Sequence, residues 1–142
     1  MSRHTARIHA FNLIFQFPFY SDWALNRLDE YLESVDDLED YLQAAVDAND
    51  KRFIISEVTG IFAKQQELDT IITKYLKDWD LDRIAKVDLA LLRLALYEVY
   101  HVSDISTATA INEAVEIAKV YGTDESPAFI NGLLGQAVRQ NA

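Results

Sequence analysis

The sequence contains no cysteine, so disulfide frameworks and thiol chemistry are excluded, as is typical of proteins from a reducing cytosol. Only four glycines and two prolines occur among 142 residues, whereas half of the residues are hydrophobic. This composition favours a helix-rich globular chain over a disordered chain or a turn-rich β fold. The length is typical of a single domain with one hydrophobic core.

Long apolar stretches are also absent. The N-terminal segment MSRHTARIHAFNLIFQ lacks the continuous apolar run and the small-residue cleavage site of a signal peptide. Arg93 interrupts the apolar segment LALLRLALY, which is shorter than the roughly 20 residues that a membrane-spanning helix needs. We therefore expect a cytoplasmic protein that has no membrane partner.

The net charge of −10 is unevenly distributed along the chain. Residues 1–20 carry Arg3 and Arg7 and no acidic residue, whereas residues 21–50 carry ten acidic residues and one base, Arg27. Phosphate groups would be attracted to the first segment and repelled by the second. Ordinary solvated surface charge remains an alternative explanation, because basic binding surfaces normally hold more lysine and arginine than this.

Apolar residues at helical spacing predict a first helix that Ser2 caps and Pro18 ends. Two acidic helices are expected at about 23–34 and 37–48.

Asn49 or Asp50 is expected to open the next helix, with a bend at Gly60 or near Gln65. The segment DLDRIAKVDLALLRLALYEVYH is the most apolar and is expected to form a central helix.

The last two helices are predicted from their end signals. Gly122 is expected to stop the first of them in the left-handed conformation. Ser126 is expected to cap the second, with Pro127 as its first helical residue. No segment has the alternation of a strand. The sequence therefore predicts an all-α bundle of about seven helices.

Glu98 and His101 have the Glu-x-x-His spacing of carboxylate-bridged di-iron proteins. Such a centre needs a second pair and two further glutamates, and His4 and His9 lack that spacing. We therefore expect no metal site.

Glu113 and Glu116 share a helical face, but a solvated or cap-bound pair is a better explanation than an acid/base pair without a partner histidine. There is no phosphate-binding glycine loop and no nucleophile elbow. The sequence predicts no catalytic residue, no cofactor and no small-molecule substrate.

Three ordered motifs, VDLALLRLALYEV, AINEAVEIAKVYG and ESPAFINGLL, resemble the C-terminal half of the NusB family of bacterial transcription antitermination factors. SRHTARIHAFNLIFQ is similar to the arginine-rich first helix of that family. The resemblance implies one NusB-like domain over 1–142, with helical subdomains of about 1–80 and 81–142. It also implies that the protein pairs with NusE, a small ribosomal subunit protein, and binds the boxA RNA of ribosomal RNA operons. Other Nus factors and RNA polymerase would be indirect partners.

The resemblance implies an RNA surface formed by the first helix and by the loop and helix start around TDESPAF. The implied RNA-binding residues are Arg3, His4, Arg7, Tyr121, Glu125 and Phe129. Phe129 would stack an unpaired base, and the Glu125 carboxylate would lower the affinity for phosphates. The alternative for Phe129 is a core position in the last helix. Asn131 and Gly132 are interpreted as structural, through a side-chain hydrogen bond and a close helix contact.

Phe15 and Asp88 match positions that the family uses near NusE. Core packing is the alternative for Phe15, whereas Asp88 is expected to be an exposed charge.

The sequence departs from the family pattern in two places. His4 and Thr5 stand where basic residues are common, and Ser106 and Ala108 replace a usual proline and lysine. Because phosphate contacts supply much of RNA affinity, we expect weak RNA binding without a basic partner.

One interpretation of another class stays open at this point, and a second is set aside on chain length. The helices could form a protein-interaction module without RNA contact, which the acidity favours and which the acid-free first helix and Phe129 oppose. A NusB-like domain also precedes the catalytic domain in some RNA cytosine methyltransferases, but 142 residues leave no room for such a catalytic unit.

Overall fold

A computed structural model describes residues 2–16, 30, 47–76 and 80–140, except for the side chain of Gln140. These residues form six α-helices and a short 3-10 turn at Leu81–Arg83. The helices are α1 (Arg3–Gln16), α2 (Ala48–Ala63), α3 (Gln65–Lys74), α4 (Lys86–His101), α5 (Thr107–Tyr121) and α6 (Ser126–Gln140). No strand occurs in the described part of the chain, and the predicted all-α fold is confirmed. The acidic helices predicted at about 23–34 and 37–48 lie largely outside the described residues.

The first compact unit comprises residues 1–62. Its first helix is capped as predicted, because the backbone N–H of Thr5 donates to Ser2 Oγ at 3.1 Å. The Phe15 ring stacks on Phe11 with 5.9 Å between the ring centroids. The buried apolar residues of α1 are Ala6, Ala10, Phe11, Leu13 and Ile14.

The start of α2 is fixed by a reciprocal pair of aspartates. The backbone N–H of Asp50 donates to Asp47 Oδ1 at 2.9 Å, and that of Asp47 donates to Asp50 Oδ2 at 3.0 Å. Each carboxylate thus satisfies an N–H that has no partner inside the helix. The helix begins at Ala48, slightly before the predicted start.

The break between α2 and α3 falls at Lys64, next to Gln65. This agrees with one of the two positions predicted for a bend. Gly60, the other predicted position, lies inside α2.

The second compact unit comprises residues 63–142. Helix α4 packs against α5 and α6, and α3 packs against α4 and α6. Helix α4 is the central helix of this unit, as predicted. Its buried apolar residues are Ala90, Leu91, Leu92, Leu94, Ala95 and Leu96. Because α3 packs against α4 and α6, its contacts group with the second unit. The predicted subdomains of about 1–80 and 81–142 stay a prediction.

Arg93, the charge that interrupts the apolar segment, binds a carboxylate of α3. Its Nε and Nη2 donate to Asp69 Oδ1 and Oδ2 at 2.7 and 2.8 Å. The Arg93 side chain is 8% exposed and that of Asp69 is 20% exposed. A guanidinium removed from water requires such a paired acceptor. The pair therefore joins α3 to α4.

Within the described residues, no helix is long and apolar enough to cross a membrane.

Candidate nucleic-acid interface

The predicted basic residues of α1 differ in their exposure. Arg3 is exposed, and its Cζ lies 4.3 Å from the centroid of the Phe53 ring on α2. Arg7 lies one turn further along and is only 3% exposed, with its Cζ 5.6 Å from the same centroid. His4 is half-buried. Arg3 is therefore the residue of α1 whose guanidinium is most accessible to a phosphate, whereas the charge of Arg7 is largely withdrawn from solvent.

His9 lies on the buried side of α1 and is 1% exposed. Burial lowers the pKa of the His9 imidazole, and the nearby charge of Asp50 raises it by a smaller amount. Since the pKa of His9 falls below its ordinary value, the ring is neutral at neutral pH. His9 therefore adds no positive charge to the basic residues of α1.

The loop between α5 and α6 depends on a close approach at Gly122. The residue has φ −95° and ψ −165°, which is extended backbone, so the predicted left-handed conformation is wrong. A Cβ on Gly122 would lie 2.6 Å from Ser126 Oγ and 2.9 Å from the carbonyl oxygen of Ala118. Glycine is required here because the ends of α5 and α6 come this close.

Ser126 closes the same loop. Its Oγ accepts a hydrogen bond from the backbone N–H of Thr123 at 3.0 Å and lies 3.2 Å from Thr123 Oγ1. Its side chain is directed back to the loop, and Ser126 is itself the first residue of α6. Pro127 is accordingly the second helical residue, one position later than predicted. Ser126 is 1% exposed, so the loop is held by partly buried hydrogen bonds.

Three of the predicted RNA-binding residues lie around this loop. Tyr121 is half-buried at the end of α5, and Glu125 is exposed in the loop. The backbone N–H of Phe129 donates to the carbonyl oxygen of Glu125 at 3.1 Å, so Phe129 lies in the first turn of α6. The loop therefore brings an exposed carboxylate and an aromatic ring within one helical turn of each other.

Phe129 is half-buried and lines an open pocket of about 380 Å³ within the second unit. The lining residues are mostly apolar, and Tyr75 and Gln136 are those with polar side chains. The pocket residues are Tyr75, Leu76, Ala128, Phe129, Gly132, Leu133 and Gln136. Phe129 is thus a wall of a cavity that a planar ring could enter, unlike the fully buried residues Ile130 and Leu134 of the same helix.

The structural interpretation of the neighbouring Asn131 and Gly132 is wrong. Asn131 is exposed, and its side chain makes no hydrogen bond among the described residues. Among the described residues, no heavy atom outside its own stretch of α6 lies within 4 Å of a Cβ built on Gly132, so no described helix approaches it closely. Gly132 instead leaves open space beside the Phe129 pocket.

Asp88 and Phe15, the two predicted partner-binding residues, have unexpected exposures. Asp88 lies in the first turn of α4 and is 8% exposed, so the expectation of an exposed charge is wrong. Its Oδ1 accepts no hydrogen bond from any described residue. Phe15 is 38% exposed although one of its faces stacks on Phe11. A buried carboxylate oxygen without a described donor and an exposed aromatic ring are both unusual, and the exposed ring is the one of the two that a partner can reach directly.

The glutamates and histidines considered for a metal site or an acid/base pair do not come together in one cluster among the described residues. Glu98 is buried, whereas His101 is exposed and its Nε2 lies 3.2 Å from Glu67 Oε1. Glu116 accepts a hydrogen bond from Lys119 Nζ at 2.8 Å. The described part of the chain contains no group of three or more side chains that could hold a metal ion.

Residues 4–139 match the sequence profile of the NusB family. The chain belongs to the NusB family. The predicted resemblance is thereby confirmed over nearly the whole sequence.

Curated relatives of this NusB-family chain carry the name transcription antitermination protein NusB. The protein from Acetivibrio thermocellus is 43% identical over 139 residues, which cover 98% of this chain and 90% of the relative. The protein from Geobacter sulfurreducens is 41% identical over 124 residues, which cover 87% of each chain.

Solved structures confirm the NusB fold. The structure of T. maritima NusB superimposes with a TM-score of 0.77 at 31% identity, covering 99% of this chain and 92% of that one. A second chain, from a structure described as a plectonemic RNA supercoil, gives a TM-score of 0.76 at 22% identity and supports the fold alone.

The positions implied by the NusB family are distributed over both units. Arg3, His4, Arg7 and Phe15 belong to the first unit. Asp88 and the three residues around the α5–α6 loop belong to the second unit. Phe53, which the sequence analysis did not single out, is the ring beneath Arg3. Its position one residue after Lys51-Arg52 was the available signal, because aromatic residues beside basic ones are typical of nucleic-acid surfaces.

Proposed function

We propose that this protein is an RNA-binding transcription antitermination factor that pairs with NusE and binds the boxA RNA of ribosomal RNA operons. Membership of the NusB family and the names of the curated relatives support this proposal. Other Nus factors and RNA polymerase would act with it indirectly, in the cytoplasm. The proposal assigns no catalytic residue, metal ion or cofactor to the protein.

The observation that carries the RNA claim is the position of Phe129 in the wall of an open pocket. Proteins bind single-stranded RNA by stacking unpaired bases on aromatic side chains. An aromatic side chain of the core would have no open space beside it, whereas Phe129 borders about 380 Å³. A base entering this pocket would stack on Phe129, with Tyr121 near the same loop as a second aromatic contact.

Cations and one carboxylate would set the strength of the phosphate contacts. Arg3 is exposed and is the principal candidate for a phosphate contact, with His4 beside it. Arg7 would act chiefly by its packing around Phe53, because its charge is withdrawn from solvent. The exposed Glu125 would repel phosphates and so reduce the affinity.

The NusE contact would involve Phe15 and Asp88. Phe15 offers an exposed apolar ring, and aromatic rings are common anchors of protein interfaces. Asp88 is 8% exposed, and its buried Oδ1 is closed to a partner, so a donor from NusE would meet the other carboxylate oxygen. Such a donor would form a charge-assisted hydrogen bond in a place with little access to water.

The proposal can be tested by titrating boxA RNA with the protein in the presence and absence of NusE. Phe129→Ala is expected to cost about 1–3 kcal/mol of binding free energy without changing the salt slope, because stacking releases no counterion. Arg3→Gln is expected to reduce the magnitude of the log–log salt slope by roughly 0.7. Phe129→Tyr is the matched control, since it keeps a stacking ring.

Thermal melting of each variant separates binding from folding. A buried phenylalanine would cost about 3–5 kcal/mol of stability when truncated, so strong destabilisation with normal affinity of the folded fraction would assign Phe129 to the core. If NusE binds normally but boxA RNA is not bound at all, the protein is an interaction module without RNA contact and the RNA claim is wrong.

A further inference from the structure

Phe53 joins two arginines of α1 to the first turns of α2. The Arg3 guanidinium stacks on the Phe53 ring at 4.3 Å, and that of Arg7 lies 5.6 Å from the same ring centroid. No described residue gives Arg3 a hydrogen bond or a carboxylate partner. The plane of the Arg3 side chain is therefore held by an aromatic ring while its N–H donors stay available.

The face of α2 that contains Phe53 is otherwise polar and exposed. Residues spaced by three and four positions share a helical face, which here comprises Asn49, Arg52, Phe53 and Ser56. Arg52 is exposed, and its Nη2 donates to Asn49 Oδ1, so the arginine side chain lies along this face. The Arg52 side chain thus lies on the same helical face as Phe53, the ring that holds Arg3.

The acidic residues near the start of α2 are directed elsewhere. Asp50 and Glu57 are 6% and 2% exposed, so their carboxylates lie on the buried side of the helix. Asp47 is exposed, but its Oδ1 accepts the backbone N–H of Asp50 at the helix start. Among the described residues, the Asn49–Ser56 face carries no carboxylate. In a chain of net charge −10, a face with two guanidiniums and no acid is suited to a polyanion.

We propose that this α2 face, together with Arg3, binds the sugar–phosphate backbone of single-stranded RNA. Phe53 is the positioning residue for Arg3, and Arg52 makes a second phosphate contact. The proposal rests on the proposed RNA-binding function and extends it from α1 and the α5–α6 loop to a helix that carries none of the predicted site residues. Because an arginine already held in place loses less side-chain freedom when it binds, stacking on Phe53 strengthens the phosphate contact of Arg3.

The first test measures boxA binding to the complex with NusE as a function of salt. Arg52→Gln is expected to weaken binding and to reduce the magnitude of the log–log salt slope by roughly 0.7, as the loss of one phosphate contact requires. Lys64→Gln is the matched control: it removes the same charge from an exposed residue just after the last residue of α2, 12 positions along the chain. The control variant is expected to leave the slope unchanged.

The second test isolates the positioning role of Phe53. Phe53→Leu is expected to weaken RNA binding about two- to fivefold while Arg3 is present, which corresponds to the usual strength of an exposed cation–π contact. In an Arg3→Gln background the same substitution is expected to have no effect on RNA affinity. Phe53→Tyr, which keeps the ring, is expected to restore wild-type binding. Melting temperatures are measured for all four variants.

Three results would overturn the inference. The salt slope of Arg52→Gln could equal that of Lys64→Gln. Arg52→Gln could weaken RNA binding without changing the salt slope. Phe53→Leu could weaken RNA binding equally with and without Arg3. In each case boxA binding that still depends on Phe129 would leave the proposed function intact. Absence of any boxA binding by the wild-type complex would instead overturn the proposed function, and the inference with it.

Discussion

Single residues of the α5–α6 loop are constrained by space and not by backbone handedness. Gly122 has an ordinary extended conformation, yet a Cβ there would lie 2.6 Å from Ser126 Oγ, 2.7 Å from Ser126 Cβ and 2.9 Å from a backbone oxygen. A contact below 3 Å with a backbone atom and a buried side chain cannot be relieved by a rotamer change alone. The glycine is therefore required by packing.

Gly122→Ala is expected to lower the free energy of unfolding by about 1–3 kcal/mol, the usual cost of an inserted methyl group in a packed site. Gly132→Ala is the control, because its added methyl meets no described atom within 4 Å outside its own stretch of α6, and glycine is unfavourable inside a helix. The control is expected to be neutral or stabilising by up to about 1 kcal/mol. Chemical denaturation measures both, and equal stability of the two variants would contradict the packing argument.

Residue-level predictions were accurate where the signal is local. The Ser2 cap and the break near Gln65 follow from side chains within a few positions of the helix end. Gly122 was correctly identified as the end of α5, but its conformation depends on where Ser126 lies. The exposure of Asp88 depends in the same way on what packs around the start of α4. Residue type alone does not determine such surroundings.

Helices α3 and α4 are joined by a charged pair that helical periodicity could not reveal. Arg93 and Asp69 are 24 positions apart, and each looks like an isolated charge in its own helix. Periodicity identifies the apolar face of each helix, and α4 was accordingly predicted to be central. The partner of a charge on that face depends on the register between two helices. The same limitation hid Phe53, whose ring meets arginines of a different helix.

Asp69→Asn is expected to lower the free energy of unfolding by about 3–5 kcal/mol, because it leaves a largely buried guanidinium without its charge partner. Glu116→Gln is the control: it removes a carboxylate from the exposed pair with Lys119, whose side chains are 46% and 55% exposed. Exposed pairs contribute about 0–1 kcal/mol. Comparable losses in the two variants, measured by urea denaturation, would show that Arg93 does not need Asp69.

At the scale of the whole molecule, the family and the helical fold could be predicted from sequence because long ordered motifs and helix periods carry both. The boundaries of the candidate site could not be predicted from the sequence. Arg3 and Arg7 share one face of α1 by their spacing, yet the first is exposed and the second is 3% exposed. The difference in exposure between Arg3 and Arg7 comes from the residues that pack around α1, and the sequence of α1 alone does not determine that packing.

Partner binding at Asp88 is tested best by a change that preserves shape. Asp88→Lys would place a longer side chain where the aspartate is 8% exposed and is therefore expected to destabilise the protein. Asp88→Asn keeps the volume and removes the charge. It is expected to weaken NusE binding by about 1.5–3 kcal/mol, the usual strength of a hydrogen bond to a charged group, in isothermal calorimetry.

Asp104→Asn, at an exposed aspartate in the connection between α4 and α5, is the control and is expected to bind NusE normally. If Asp88→Asn binds NusE as tightly as the wild type does, Asp88 is a structural residue of the α4 start and Phe15 alone remains for the partner contact.

The partly buried hydrogen bonds between Thr123 and Ser126 have a kinetic consequence. They hold the loop that carries Glu125 in one arrangement before any ligand arrives. Ordering a mobile side chain on binding costs about 0.5–1.5 kcal/mol per group, and a loop that is already fixed avoids that loss. Loop substitutions that keep these bonds would then change how long RNA stays bound more than how fast it arrives, since related interfaces differ mainly in dissociation rate.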